Sequence, residues 1–514
     1  YATIAGLTSK HAQTVDAEQL AAAALLHGAP RTIQQPVKFY ERGDRPLEIV
    51  TSRQWYIRNG GRDADLRTAL VERGREVTWH PTHMQHRYDN WVEGLNGDWL
   101  VSRQRFFGPP IPVWYPLDDQ GEPRYDEPLL PEESDLPIDP STDVPHGYDE
   151  RQRDQPGGFM GDPDVFDTWA TSSLTPQIAG GWEEDDDLFG RVFPMDMRPQ
   201  GHDIIRTWLF ATMTRSHHEF GCAPWSHAAL SGWILDPDRK KMSKSKGNVV
   251  TPLDLFETYG TDAVRYWASS ARPGVDAAFS EDQMKVGRKL ANKLLNVTKF
   301  VLQFGAPSAD TSLDDGVTEP VDRSMLAKLD AVIDDATAAF EAFDYARALE
   351  RTEAFFWWFC DNYVELVKGR TYDEDRPEAA DSAKRALREA FGTVQRLFAP
   401  ILPFAAEEAW SWWNDSSVHS SSWPTPAGTG SSSFGDPALA DAAIEVLTQV
   451  RRAKTEAKRS QRAPVESLVV TAPPELHAAI DAGRSDLVDA GSIRDLQLVE
   501  GDSVSTVVTL AYDG

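Results

Sequence analysis

Cysteine is nearly missing from this 514-residue chain, which holds only Cys222 and Cys360. Two thiols cannot build a disulfide framework or a four-thiolate zinc site. No uncharged apolar run reaches the roughly 18 residues of a membrane span, so no membrane contact is expected. The first residues show no positively charged, apolar segment of the kind that directs secretion. These absences together predict a protein of the reducing cytoplasm. Positive charge is scarce too: 52 Lys and Arg stand against 80 Asp and Glu, a net of -28. As a sum, that charge argues against a nucleic-acid partner, yet binding answers to the facing patch and not to the total. Surplus carboxylate on a folded surface suits concentrated salt, where screening lengths are short, so a salt-rich cytosol is expected. No internal repeat is found.

What is present is core material and one cluster of cations. Apolar residues make up 41% of the chain, with 17 Trp and 22 Phe, and the length calls for about three or four domains. Between Arg239 and Lys246, five of eight positions are basic: Arg239, Lys240, Lys241, Lys244 and Lys246. In so acidic a protein, such a cluster either lies solvated or faces something strongly anionic that offsets its self-repulsion. Ser243, Ser245 and Gly247 keep the backbone small and add hydroxyl donors. That chemistry suits a loop closing over a polyphosphate and neutralising charge as a phosphoryl bond breaks.

The run Lys241-Met242-Ser243-Lys244-Ser245, continued by Gly247-Asn248, resembles the KMSKS signature of the class I aminoacyl-tRNA synthetases. In that family the loop stabilises the transition state as an amino acid displaces pyrophosphate from ATP. A second stretch carries the same likeness. Trp99-x-x-Ser102-Arg103-Gln104, then Gly108-x-Pro110-Ile111-Pro112-Val113-Trp114, is similar to the junction where valyl, isoleucyl and leucyl members return from the inserted editing domain to the catalytic fold. Read without the likeness, it is a helix end and a strand wedged into a domain interface.

Taken in order, residues 1–50 look like the trailing part of that inserted domain, with a helical pattern over Asp16–His27. Residues 51–275 read as the C-terminal half of a Rossmann-type catalytic domain. Across its start, 47–59 is β-prone, and 63–74 is helical. Residues 117–158, rich in Asp, Glu and Pro, read as a surface excursion. Family members often hold a zinc knuckle near this point; without cysteine here, no metal and no zinc is expected. A strand is predicted to end near Phe166 at the edge of a parallel sheet, followed by a Ser/Thr-rich turn. Gly201 then opens a helix whose free N-terminus offers amide donors to a ligand. A strand over His227–Asp236 leads into the lysine loop, and Thr251-Pro252-Leu253-Asp254 has the form of a threonine-capped helix start.

From about Gln283 the periodicity changes to long helices, over 283–304, 321–343, 345–368, 379–398 and 405–413, which predicts a bundle. Residues 276–414 resemble the anticodon-binding bundle of the same family, and their aromatic runs are bulky enough to be plain core. Residues 415–437 read as a Ser/Gly/Pro linker. Residues 438–514 form a predicted α+β subdomain, begun by a helix over 439–462. It carries Arg451, Arg452, Lys454, Lys458, Arg459 and Arg462, a cationic face for tRNA phosphates or simply a solvated one. The expected fold class is thus α/β plus all-α, with a small α+β end.

Within the family, Asp167-Thr168-Trp169 and the Gly201–Trp208 segment are similar to the valyl members, the latter in their archaeal form. The resemblance implies MgATP, valine and tRNA(Val) as partners of a monomer, with Gly201 and Asp203 bordering the nucleotide. Lys241 and Lys244 would hold phosphate charge. Trp169, Ile204 and Trp208 would wall an apolar slot for a branched side chain, and i, i+4 spacing makes the last two compatible with one helix face. The family's His-x-Gly-His signature does not occur in this sequence. The chain is therefore expected to be the C-terminal part of a longer ligase, inactive by itself. An isoleucyl member and a catalytically inactive tRNA-binding paralogue are the rival readings.

Overall fold

The computed structural model describes residues 9–31, 38–39, 47, 52–243, 247–305, 313–427 and 434–511. The chain divides into two units, 1–55 and 56–514. In the first, the helix Ser9–Ala22 lies earlier than the expected 16–27. None of residues 11–31 is buried, because their apolar positions do not gather on one face.

The second unit begins with an α/β layer. Three parallel strands lie in the order Thr78–His80, Trp225–Ser231, Met195–Gly201, with Trp225–Ser231 in the centre. The helices Ala64–Glu76, Met84–Glu93 and Phe210–Phe220 pack Leu70, Tyr88, Val92 and Met213 against Trp225, Ala228 and Leu230 of the central strand. Asp63 starts the first of these by accepting from the amides of Asp65 and Leu66, a local cap that fixes where the helix begins. Arg198 is buried on the sheet, its guanidinium 3.5 Å above the ring of Trp208 and 4.6 Å above that of Trp225. Burial pushes it down to about 10, and the two π faces replace part of its lost hydration.

Two expectations here are corrected. Val165–Phe166 is not an edge of the parallel sheet; it pairs antiparallel with Ser102–Arg103. The Ser/Thr stretch after it is a helix, Thr168–Ser172, because the Asp167 side chain accepts from the Trp169 amide and caps it. Thr251 does not cap the next helix either. That helix is Leu253–Tyr259, and Pro252 before it already has helical angles, with no side-chain cap.

The bundle follows the predicted periodicity: Glu281–Gln303, Pro320–Glu341, Tyr345–Trp358, Pro377–Phe398 and Pro403–Ser411. The expected helix 345–368 is interrupted by a π turn at Phe359–Tyr363. At the C-terminal end, Val465–Ala472 lies between Leu496–Glu500, parallel, and Ser505–Leu510, antiparallel. One core runs from Leu290 through Phe356 and Phe391 to Leu447, Leu468 and Leu496, so bundle and α+β end share their apolar interior. Nor do the described parts of 415–437 hang free: Val418 and Phe434 are buried, and Trp423 donates to Thr337 Oγ1 at 2.9 Å. Among the described residues no helix is long and apolar enough to cross a membrane. Of the two thiols, Cys222 is partly exposed and Cys360 buried, and burial pushes Cys360 up to about 12.

A charged knot ties the two ends of the shared core. Arg370, with 1% of its side chain exposed, donates to both Asp322 oxygens (2.6 and 2.8 Å) and to Asp486 Oδ1 (2.8 Å). Asp322 also accepts from Tyr363 (2.8 Å) and Ser382 (2.7 Å). Burial drives Asp486 up to about 6, against the pull of Arg370. Removing the cation strands two buried carboxylates, the expensive way to break such a cluster. Arg370→Met is expected to lose about 3–5 kcal/mol of stability in urea unfolding. A loss below about 1 kcal/mol would show that the carboxylates find other partners.

Candidate functional site

The register of the parallel sheet sets Gly201 beside Ser231 at the carboxyl ends of their strands, the edge where α/β folds place ligands. Beyond Gly201 the chain forms a 3-10 turn, His202–Ile204, then a π turn, Ile205–Leu209, and only then the α-helix Phe210–Phe220. Beyond Ser231, Gly232 passes so close to the chain that a Cβ there would stand 2.3 Å from the Val275 carbonyl. Ile234–Leu235 then pairs with Ala277–Ala278 and delivers the lysine loop.

Asp236 and Asn248 anchor that loop. The Asp236 carboxylate accepts from the Lys240 amide at 2.7 Å and from Asn248 Nδ2 at 2.8 Å. Asn248 Oδ1 accepts in turn from the Ser243 amide at 3.0 Å. These bonds, Asn248's first, hold the Asp236 carboxyl below the usual carboxylate range. Lys241 Nζ lies 4.3 Å from the centre of the Trp233 ring and 3.8 Å from Asp203 Oδ2. Met242 and Ser243 are partly buried beside it, whereas Lys244, Ser245 and Lys246 lie outside the described residues.

A cavity of about 550 Å³ opens next to Asp203, walled by Trp91, Trp99, Trp169 and Phe210, with Arg103 and Asp167 at one side. Asp167 organises that side: it pairs with Arg103 at 2.6 Å and accepts from Trp99 Nε1 at 3.3 Å. Of the residues expected around an apolar slot, Trp169 lines this cavity and Ile204 and Trp208 do not. Trp208 donates Nε1 to the Ser172 carbonyl at 2.9 Å and stacks under Arg198. The i, i+4 argument presumed an α-helix; the 3-10 and π turns rotate positions 204 and 208 off a common face. Trp91 and Trp99 supply the indoles instead; of the two, only Trp99 stands in a sequence motif, at the head of the junction.

His202 was not foreseen. It is 7% exposed, neither ring nitrogen has a hydrogen-bond partner among the described residues, and its ring meets Trp233 edge-on at 4.8 Å. Burial, helped by Arg87, lowers its pKa. Its position directly after Gly201 was the available signal.

The expected tRNA-facing cations are scattered. The helix ends at Glu456, so Lys458, Arg459 and Arg462 follow it rather than extend its face. Lys454 is a correction: it is 1% exposed, and Nζ donates to the carbonyls of Gln461 (3.0 Å) and Gly491 (2.8 Å). A buried ammonium that closes a turn has no path to a phosphate. Arg452 is exposed and pairs with Glu456; Arg451 is half-buried against Glu365.

The loop anchor is directly testable. Asn248→Ala should leave Asp236 without its side-chain donor and speed tryptic cleavage after Lys240 and Lys241 several-fold, followed by mass spectrometry. Unchanged cleavage would mean that the backbone bonds alone hold the loop. Because the Asp236 carboxyl is depressed, its part in the anchor is whole above its ordinary value of 3.8 and is lost as pH falls below it.

Comparison with known proteins bears on this geometry. Residues 13–280, just over half the chain, match the family model for tRNA synthetases class I (I, L, M and V), and 322–470 match that for the anticodon-binding domain of tRNA ligase. The chain is 59% identical to a valine--tRNA ligase of Salinispora tropica, covering 98% of this chain and 61% of that protein. It is 60% identical to that of Thermobifida fusca, covering 96% and 56%. It thus spans about 60% of the length of these curated relatives. In fold it resembles Agrobacterium radiobacter K84 agnB2 LeuRS, solved in a ternary complex with tRNA and LeuAMS. The TM-score is 0.51 at 19% identity, over 73% of this chain and 44% of that one. With strand ends, lysine loop and helical bundle following one another as they do, the chain belongs to the class I tRNA synthetases of the isoleucine, leucine, methionine and valine group.

Proposed function

We propose that this chain is the lysine-loop and anticodon-binding portion of a valine–tRNA ligase, which activates valine with ATP and transfers it to tRNA(Val). One observation carries the reading. Asp203 both lines the indole-walled cavity and reaches toward Lys241, so an amino-acid slot, a nucleotide contact and a phosphate-binding loop meet at one residue. The match in identity to valine--tRNA ligases supports the choice of amino acid.

In the first step the valine carboxylate attacks the α-phosphorus of ATP and pyrophosphate leaves, giving valyl-adenylate; in the second, a terminal ribose hydroxyl of the tRNA attacks the valyl carbonyl and AMP leaves. Asp203 accepts from the nucleotide ribose, and Gly201, where a Cβ would stand 2.8 Å from Asp203 Oδ1, leaves that carboxylate room to do so. Lys241 and Lys244 hold the β- and γ-phosphate charge as it shifts toward the leaving group. Trp169, with Trp91 and Trp99, encloses the branched side chain. Mg²⁺ is assigned to the triphosphate that brings it.

The finer setting is part of the same proposal: a cytoplasmic monomer whose surplus carboxylate suits a salt-rich interior. The likeness of residues 201–208 to an archaeal form draws no support from the relatives named above, which are bacterial.

Pyrophosphate exchange tests the reading. Full-length protein should exchange with valine and not with isoleucine, and Lys244→Ala should slow it about 10²-fold or more, the usual cost of losing one transition-state charge donor. The 514 residues alone, which hold no His-x-Gly-His, should give no exchange. Exchange driven by isoleucine, or a Lys244→Ala enzyme at the normal rate, would overturn the assignment.

A further inference from the structure

His202 and Trp233 have no part in the reaction as written above, yet they stand between its two halves. His202 follows Gly201 on one exit of the parallel strand pair, and Trp233 follows Gly232 on the other. Their ring centres are 4.8 Å apart, with the planes 70° from parallel. The Trp233 backbone is pinned, since its amide donates to Asp276 Oδ1 at 2.8 Å and Gly232 before it runs too close to Val275 to admit a side chain. Its ring is not pinned in that way. Among the described residues neither Trp233 Nε1 nor either ring nitrogen of His202 has a hydrogen-bond partner, although all three atoms are buried. Contact between the two rings therefore sets how the indole lies.

The same indole carries Lys241, whose Nζ lies 4.3 Å from the ring centre and 3.8 Å from Asp203 Oδ2. The ion pair is long and open to solvent, so it contributes little. The indole face offers the more directional contact, and it selects one position for an ammonium on a flexible four-carbon stem. That contact needs an uncharged neighbour behind it. Burial, Arg87 and Lys241 work against a proton on His202, Asp203 and Asp276 work for it, and the balance lowers the pKa below the ordinary 6.5. At neutral pH the imidazole is thus uncharged. A proton there would set a second cation against the indole that holds Lys241.

We infer that His202 is a positioning residue for the activation step: its neutral ring braces the Trp233 indole, and the indole sets Lys241 against the polyphosphate. The inference rests on the ATP-dependent reading above and deepens it by a residue that acts through another. A histidine that merely fills space would affect the rate through stability alone. A brace acts through Trp233, so its effect vanishes once the indole is gone, and another uncharged ring of similar size replaces it.

Pyrophosphate exchange by the full-length protein, with a thermal melt of each variant, supplies the test. His202→Ala should lower kcat about tenfold, the scale of one cation–π contact, and leave KM for valine unchanged. Trp233→Leu should lose about as much, and the double variant no more than either alone, because the two residues act as one unit. His202→Phe, which keeps a ring and takes no proton, should restore the rate at about pH 8. From about pH 7 down to about 5.5 the wild-type rate should fall relative to His202→Phe, as protonation sets in below the ordinary histidine value. If the wild type exchanges and a folded His202→Ala keeps its rate, the inference fails alone. It fails equally if the two losses multiply in the double variant, if His202→Phe restores nothing, or if its ratio to wild type stays constant with pH. Should His202→Ala be unfolded at the assay temperature, the pH ratio decides. A full-length wild type that exchanges with no amino acid overturns the reading beneath it.

Discussion

The site depends on one pairing. Met195–Gly201 and Trp225–Ser231 run parallel, in a register that brings both chains out at the same edge of the sheet. From that edge one chain turns at once into the segment bearing His202 and Asp203, and the other passes Gly232 into the lysine loop. Neither half makes sense without the other, because Lys241 finds its aromatic and acidic neighbours, Trp233 and Asp203, on opposite exits of the pair. Parallel strands are buried on both faces, and here Trp225, Ala228 and Leu230 fill the central one. The geometry of the chemistry is thereby fixed by packing far from any substrate.

Around that edge the fixed contacts are made by neutral and acidic side chains. Asp236 and Asn248 hold the described ends of the cationic loop. Asp167, gathering Arg103, Trp99 and its own helix start, makes the cavity wall firm. A cluster of like charges is costly to hold rigid and close. Its described base is tethered by neutral and acidic partners, and Lys241 finds its own in Trp233 and Asp203.

Much of this was legible in the residues. The lysine cluster stood out because its sign opposes that of the whole chain, and the bundle helices because apolar residues recur with a period that only a helix serves. The failures share a physical cause: local spacing assumes a regular backbone. Between His202 and Leu209 the backbone is not regular, so Ile204 and Trp208 part company. Lys454 was read by charge as surface, but a long flexible stem lets an ammonium reach two inward carbonyls, and no pattern of charges reveals that. Trp423 and Phe434, in a stretch composed like a linker, are drawn in by the apolar gap that the bundle leaves. In the sequence Asp167 is only one letter of a motif; its role as the organiser of the wall appears once Arg103, distant in sequence, is folded against it.

The two thiols acquire a use from their unequal surroundings. Cys360 is kept protonated by burial, and only the thiolate attacks an electrophile, so at neutral pH maleimide chemistry is left to Cys222 in this chain. That residue follows the helix Phe210–Phe220 and precedes the central strand of the sheet. A dye attached there would sit at the amino end of that strand, on the edge of the sheet away from the lysine loop, and so label the chain without an engineered cysteine and without crowding the loop.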